Sequence, residues 1–369
     1  MTSDEQPPAG PDDAVAPDDG TTPERPPLSK GKSIALGLVG VAVLVLIFVK
    51  VIPQIGSYSD ALDSLRSMGL TDVVLIVAAV LLYLAWYPLP FMAATPGLSY
   101  WRATQLNQGA FAISNGVPAG GAFGLGVQYA MLASWRVTPN AATAAIGAVS
   151  VWSLFVSLGL PLLGVVALAL SGTSTAGDYV KYAAIGLAIL AVIIVLFALV
   201  MRSESMAVRI GRLGDRLVNP VLRRLRREPV TLEHTVVDFR HHTVGLVSRR
   251  WGAITVTQTG VSLTQGLILL AALWGVEGDG DHTSALAVLG AYAVAQIGIM
   301  IPLTPGGLGT VDALMIGILT AAGVSAGDAT AATLVWRAAS FVPQILIGVL
   351  SLVVWSRTAA RRLRGRAAT

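Results

Sequence analysis

No cysteine occurs in the chain, which excludes disulfides, thiolate metal sites and cysteine nucleophiles. Charge is also scarce: Asp, Glu, Lys and Arg together make up 12% of residues, too few to clothe a water-soluble domain. Aromatic residues amount to 7%, which argues against the aromatic girdles of a membrane β-barrel. Apolar residues fill the chain instead: 54% are hydrophobic, 39 are glycine, and mean hydropathy is +0.69. Apolar stretches of about 20 residues recur, enough at about 1.5 Å per residue to cross a hydrocarbon layer of about 30 Å. This composition specifies an all-α polytopic membrane protein whose helices approach one another through small side chains.

Residues 1–29 hold seven prolines and seven acids with little apolar content, and read as a disordered cytoplasmic tail. Lys30 and Lys32 stand directly before the first apolar run, unlike the layout of a cleaved secretory signal. A transmembrane domain is expected over 30–356 and a basic cytoplasmic tail over 357–369. Within the domain, apolar segments cover 34–52, 70–90, 100–135, 141–170, 182–201, 251–276, 284–322 and 330–355.

Two of these, 100–135 and 284–322, are too long for one crossing and break at NGVPAGGAFGLG and IPLTPGGLGT. Proline removes a helix donor and paired glycines favour non-helical backbone. Each region is therefore expected to be a re-entrant helical hairpin with an unwound middle. The unwound pieces are Pro118, Gly120 and Gly121 in the first, and Pro305, Gly306, Gly307 and Gly309 in the second.

Positive residues near spans remain in the cytoplasm. The loop 202–250 carries eleven arginines against five acids, and five arginines with no acid follow Trp355. The loop 276–284 has three acids and no Lys or Arg, and is assigned outside. The consistent path has about six full transmembrane helices plus two hairpins, the first opening to the cytoplasm and the second to the exterior. Eight or more spans is the alternative, because 284–303 is apolar enough to cross alone.

The chain also resembles itself. Pro118, Gly120, Val137, Thr143, Ala144 and Ala145 match Pro305, Gly307, Val324, Thr330, Ala331 and Ala332, each 187 positions later. After a three-residue slip, Val151, Trp152 and Gly164 match Val335, Trp336 and Gly348. Two units, about 100–170 and 284–355, each read hairpin, turn, span. Hairpins entering from opposite faces make this an inverted repeat, an arrangement that places transporter sites at the repeat interface.

Unwound backbone in a membrane must be satisfied by protein, water or ligand, so the two glycine breaks are the first site candidates. The competing reading takes Gly116, Gly120 and Gly124 as a close helix-packing face. Asp312 and Arg337 would each cost about 2.5–3.5 kcal/mol unpaired at mid-membrane; they are read either as a structural ion pair or as contacts for a lipid headgroup. Arg102, Asn115 and Gln128, with Trp101, Gln105, Asn107 and Gln108, form a polar stripe that suggests a wet pathway. The loop 202–250, densest at RRLRR (223–227), is a topology signal or an amphipathic surface for anionic lipid.

Other chemistry is not supported. The four histidines show no metal-ligand spacing, and the basic residues match no nucleic-acid-binding fold. The GKS at 31–33 has Pro26 where a phosphate loop needs glycine, and the GxG at 124–126 meets Tyr129 where a third glycine belongs. No cofactor and no catalytic residues are assigned.

The segments NGVPAGGAFGLGVQYAML and IPLTPGGLGTVDALMIGIL, with a late VWR, resemble the lysylphosphatidylglycerol synthase transmembrane region, a flippase-like family, over about residues 70–355. The family's second motif of proline, two glycines, a hydrophobic residue and glycine, then an acid, maps onto Pro305, Gly306, Gly307, Leu308, Gly309 and Asp312. Glutamate is the more usual acid there. The family's arginine maps onto Arg337. In bifunctional members this region is linked to flipping of aminoacylated phospholipid, with a soluble aminoacyltransferase domain following it; this sequence carries none. The resemblance implies a stand-alone phospholipid or lipid-linked headgroup flippase of the bacterial inner membrane, multi-pass with both termini cytoplasmic. The alternative is a scaffold or partner subunit for a lipid-modifying or glycan-building enzyme docked on the basic loop.

Overall fold

The computed structural model describes residues 63, 66, 68–116, 120–172, 176–224, 231–278, 280–300 and 307–367. The tail 1–29, the first apolar segment, Asp279, residues 225–227 of the arginine cluster, and the hairpin residues Pro118, Pro305 and Gly306 lie outside them. Every described element is helical. In order they are α1 (Leu70–Trp86), α2 (Leu89–Ala94), α3 (Tyr100–Gly116), α4 (Gly120–Ser134), α5 (Pro139–Leu170), α6 (Ala176–Arg202), α7 (Glu204–Arg224), α8 (Leu232–Glu277), α9 (Ala285–Ala295), a 3-10 turn (Gln296–Met300), α10 (Thr310–Ala321) and α11 (Ala326–Ala367).

Four described stretches are long and apolar enough to cross a membrane: Leu70–Ala94, Pro139–Leu170, Thr243–Glu277 and Ala326–Thr358. Their outward faces carry exposed leucine and valine, such as Val74, Leu163 and Leu350, the pattern of helices solvated by lipid. By contrast α3 and α4 have 17 and 15 residues, or about 26 and 23 Å, each short of the hydrocarbon thickness. The α-helix of α9 stops after 11 residues, so 284–303 is not one continuous α-helical crossing.

The hairpins close through small residues. A Cβ on Gly120 would meet the Ile113 carbonyl oxygen and lie 2.8 Å from that of Ser114, and one on Gly124 would meet the Ser114 hydroxyl and lie 3.0 Å from the Ala110 oxygen. Ascending numbers on α4 thus face descending numbers on α3, as an antiparallel hairpin requires. Gly120 and Gly121, expected to be unwound, are instead the first residues of α4, because the helix starts directly against α3; Gly120 and Gly124 serve the packing face proposed as the competing reading, while a Cβ on Gly121 meets nothing within 4 Å. In the second hairpin Gly298 abuts Val311, and the Thr310 hydroxyl donates to the Gly298 carbonyl at 2.9 Å.

The hairpins open at opposite ends of the molecule. Helix α1 runs antiparallel to α8, with Asp72 beside Gly275 and Trp86 beside Gly260. The Tyr100 hydroxyl at the start of α3 donates to Ala85 O near the end of α1 at 2.9 Å, so the first hairpin opens toward the N-terminal half of α8. The second opens at Glu277, where the Glu277 carboxylate accepts the backbone N–H and hydroxyl of Thr283, and the Trp274 indole donates to Thr283 O.

The two units exchange contacts. The most extensive pairings between helices are α11 with α3 and α9 with α5: the span of each unit packs on the first limb of the other's hairpin. Glycines matched in the sequence make both approaches. A Cβ on Gly348 would meet the Gln108 carbonyl and lie 2.6 Å from Ala112 Cβ, and one on Gly164 would lie 2.7 Å from Ala293 Cβ. The matched tryptophans also correspond, since Trp152 donates to Thr255 Oγ1 and Trp336 to Gln265 O, both on α8.

Outside the spans, α7 folds back on the start of α8 as an arm. The Asp215 carboxylate accepts the N–H groups of Leu232 and Glu233 at 2.7 and 3.3 Å, and the Arg212 guanidinium grips Glu233 at 2.9 and 3.2 Å. Glu233 raises the Arg212 pKa through that hydrogen bond and its charge. Arg209, Arg212, Arg216, Leu213 and Leu217 remain exposed, giving α7 the mixed cationic and apolar surface of an interfacial helix.

Substituting Gly164 or Gly348 by leucine is expected to force the two units apart and to destabilise the fold by about 1–3 kcal/mol or more, the cost of overpacking. Gly121→Leu is expected to be mild. Thermal unfolding of the purified variants in detergent measures the contrast.

Candidate functional site

The site is built at the start of α10. Gly307 and Gly309 adopt φ of 64° and 84°, left-handed values that suit glycine. This bend presents the Gly309 N–H to the third residue of the helix, Asp312, whose Oδ2 accepts it at 2.6 Å. A carboxylate there also faces the positive end of the helix dipole. The other oxygen, Oδ1, accepts Arg337 Nε at 2.8 Å and lies 2.8 Å from Nη2. Asp312 is 2% exposed and Arg337 8%. The shorter acid thus reaches both its own helix cap and the arginine of α11.

Aromatic rings hold the guanidinium in place. It lies 4.6 Å from the Trp336 ring centroid and 4.8 Å from that of Phe341, distances at which the ring quadrupole attracts a cation. Trp336 is tied to α8 through Gln265 O, and Gln265 Oε1 in turn accepts from the Tyr292 hydroxyl. Phe341 stacks edge-on against Phe111, and Phe111 against Tyr87.

Arg337 faces a chamber. One cavity of about 280 Å³ is lined by Arg337 together with Tyr87, Phe111, Asn115, Ser153, Ser157, Gln258, Ser262, Gln265 and Gln296. A second, of about 350 Å³, is lined by Asn107, Gln128, Ser150 and Pro90 and shares Tyr87, Ser153, Gln258 and Val261 with the first. Together they form a polar space among apolar helices, at the meeting of both units with α8. Asp312 does not line it, so the chamber meets the cationic end of the ion pair. Across α5 lies an apolar cleft of about 700 Å³ between α5, α6 and α8, lined by Trp152, Phe155, Leu163 and Phe197 and reaching Arg202 and Trp251. Leu160 borders both this cleft and the polar chamber.

Of the residues singled out from the sequence, Asp312 and Arg337 are brought into direct contact, and Asn115, Gln128 and Arg337 line the chamber. Asn115 also donates to Phe111 O at 3.0 Å. Arg102 is not among the chamber-lining residues; its guanidinium lies 5.9 Å from the Trp135 ring centroid, at the open end of the first hairpin. Among the glycines, Gly307 and Gly309 shape the cap that holds Asp312. Sequence reading missed the contribution of α5 and α8: Ser150, Ser153 and Ser157, and Gln258, Ser262 and Gln265. Their spacing by three and four within apolar spans is the signal that would have found them.

Asp312→Ala leaves a buried guanidinium without its carboxylate and is expected to lower stability by about 3–5 kcal/mol; combining it with Arg337→Met is expected to restore most of that loss. Thermal melting of the single and double variants in detergent gives the comparison.

The comparisons with known proteins agree with this architecture. A stretch of 84 residues is 37% identical to a UPF0104 membrane protein of Methanothermobacter thermautotrophicus (strain Delta H), covering 23% of this chain and 25% of that relative. The chain therefore matches about a quarter of that protein's length. The family model of the lysylphosphatidylglycerol synthase TM region matches residues 34–348, spanning both hairpins, the ion pair and every chamber-lining helix. The chain belongs to the lysylphosphatidylglycerol synthase transmembrane-region family.

Proposed function

We propose that this protein is a flippase-type carrier of a bacterial cell membrane that takes the polar headgroup of a lipid into the chamber in front of Arg337. The observation carrying this reading is a polar space containing a buried cation, enclosed by helices whose outer faces are apolar. Polar and ionisable groups within spans are costly and mark substrate pathways. The apolar cleft beyond α5 offers a surface compatible with acyl chains, while the headgroup occupies the polar side.

The inverted units supply a means of exchange. Rocking of one unit against the other would open the chamber alternately through the two hairpins, whose mouths lie at opposite ends. Both termini and the α7 arm are placed in the cytoplasm, where arginines of the arm meet anionic headgroups. The family's transmembrane region is distinct from the catalytic domain of its bifunctional members, and the role proposed here is transport without a catalytic step.

Reconstituted vesicles test the carrier. The Gln258→Leu/Gln296→Leu variant, which leaves the ion pair intact, is expected to slow translocation of a fluorescent phospholipid about tenfold or more, equivalent to about 1.4 kcal/mol or more. Unchanged rates would remove the chamber from the pathway. A cysteine introduced at Asp279 is expected to react with an impermeant reagent applied outside cells and one at Arg362 only after permeabilisation; the reverse pattern overturns the orientation.

A further inference from the structure

We infer that the headgroup this chamber accepts carries no cation and presents a neutral polyhydroxylated ring, such as a sugar joined to its lipid through a phosphate, and that a cationic aminoacyl headgroup is disfavoured. The inference rests on the carrier reading and names its cargo. Its first ground is the lining chemistry. Among the described residues bordering the two cavities, Arg337 is the one ionisable cation, no Asp or Glu is present, and the remaining polar side-chain groups are amides, hydroxyls and the Trp336 indole, which is already bonded to Gln265 O. The sequences joining the hairpin limbs, 117–119 and 301–306, contain no acid either. The nearby carboxylate, Asp312, has one oxygen committed to Arg337 and the other to its helix cap.

An ammonium group moved here from water would lose its hydration without gaining a counterion, and would face a guanidinium of like sign. A phosphate meets the opposite situation, because the cationic end of the pair borders the space.

The second ground is an unmet hydrogen-bond donor. Gln296 lines the chamber near Tyr292, is 6% exposed, and its Nε2 has no hydrogen-bond partner within normal geometry among the described residues. A buried amide hydrogen left unsatisfied costs free energy, so an acceptor oxygen is called for at that point. A hydroxyl fits a mixed amide lining better than an anion does, since Gln and Asn offer a donor and an acceptor on one group and a hydroxyl answers both. The third ground is the aromatic lining. Tyr87 borders both cavities and Phe111 the inner one, giving apolar faces against which the C–H face of a sugar ring can lie while its hydroxyls reach the amides. The two volumes, about 280 and 350 Å³, lie on either side of the lower bound of small-molecule sites, about 300 Å³, in keeping with a single ring.

Native mass spectrometry of the full-length protein, offered equal amounts of polyprenyl phosphoglucose, phosphatidylinositol and lysyl-phosphatidylglycerol, tests the cargo. The same three lipids are then followed across reconstituted vesicles. At least one sugar lipid is expected to be retained about tenfold over the lysyl lipid, about 1.4 kcal/mol, and to lose that advantage in Gln258→Leu/Gln296→Leu. The two sugar lipids separate a prenyl from a diacylglycerol source. Binding and crossing of the lysyl lipid at or above the level of both sugar lipids overturns the cargo and leaves the carrier standing. Preferential retention of a sugar lipid without crossing supports the headgroup class and overturns the carrier. Retention of none of the three, or retention indifferent to the glutamine variant, overturns the inference.

Discussion

A carboxylate and a guanidinium buried among apolar helices each need a partner of opposite charge, and the placement of the second hairpin follows from how Asp312 and Arg337 meet that need. The carboxylate is held from two directions, by the cap of its own helix and by α11. The cap depends on the left-handed backbone of Gly307 and Gly309, because the turn that exposes the Gly309 N–H requires it. The pair joins α10 to α11, and the flanking rings of Trp336 and Phe341 hold the guanidinium against the chamber.

Lipid tails are as apolar as leucine, so hydrophobicity does little to hold helices together inside a bilayer, and close van der Waals contact takes its place. Gly164 and Gly348 provide that contact at corresponding positions of the two units. Because each span packs on the other unit's hairpin, neither unit buries its own small-residue faces alone. The polar chamber lies where both meet α8, and its lining is drawn from α1, α2, α3, α4, α5, α8, α9, α10 and α11 rather than from one motif.

Much of this was legible in the sequence. Proline and glycine within apolar runs announced the broken helices, and the self-matches at Trp152 and Trp336 and at Gly164 and Gly348 anticipated corresponding contacts in space. The ion pair was readable because two charges stand out in apolar surroundings. The amides and serines of α5 and α8 were not singled out, because hydropathy averaged over a span hides one polar stripe on a helix whose other faces are leucine and valine. Arg102 was read as part of the polar stripe of the first hairpin, yet its ring partner Trp135 lies across the hairpin just past the end of α4, a neighbour that linear distance does not reveal. The glycine breaks proved to be both packing face and cap geometry: Gly120 and Gly124 do the first, Gly307 and Gly309 the second.

Helix α8 is 46 residues long without a proline, about 69 Å at the usual rise, more than twice the hydrocarbon thickness. It carries the arm's anchor at Glu233, the hydrogen-bond acceptors for both matched tryptophans, and two glutamines of the chamber, Gln258 and Gln265. A rod of that length behaves as a lever: a few degrees of tilt set at the membrane surface becomes a displacement of several ångströms at the opposite end. On the carrier reading proposed above, attraction between the arm and charged lipid would be transmitted mechanically to the groups that line the chamber.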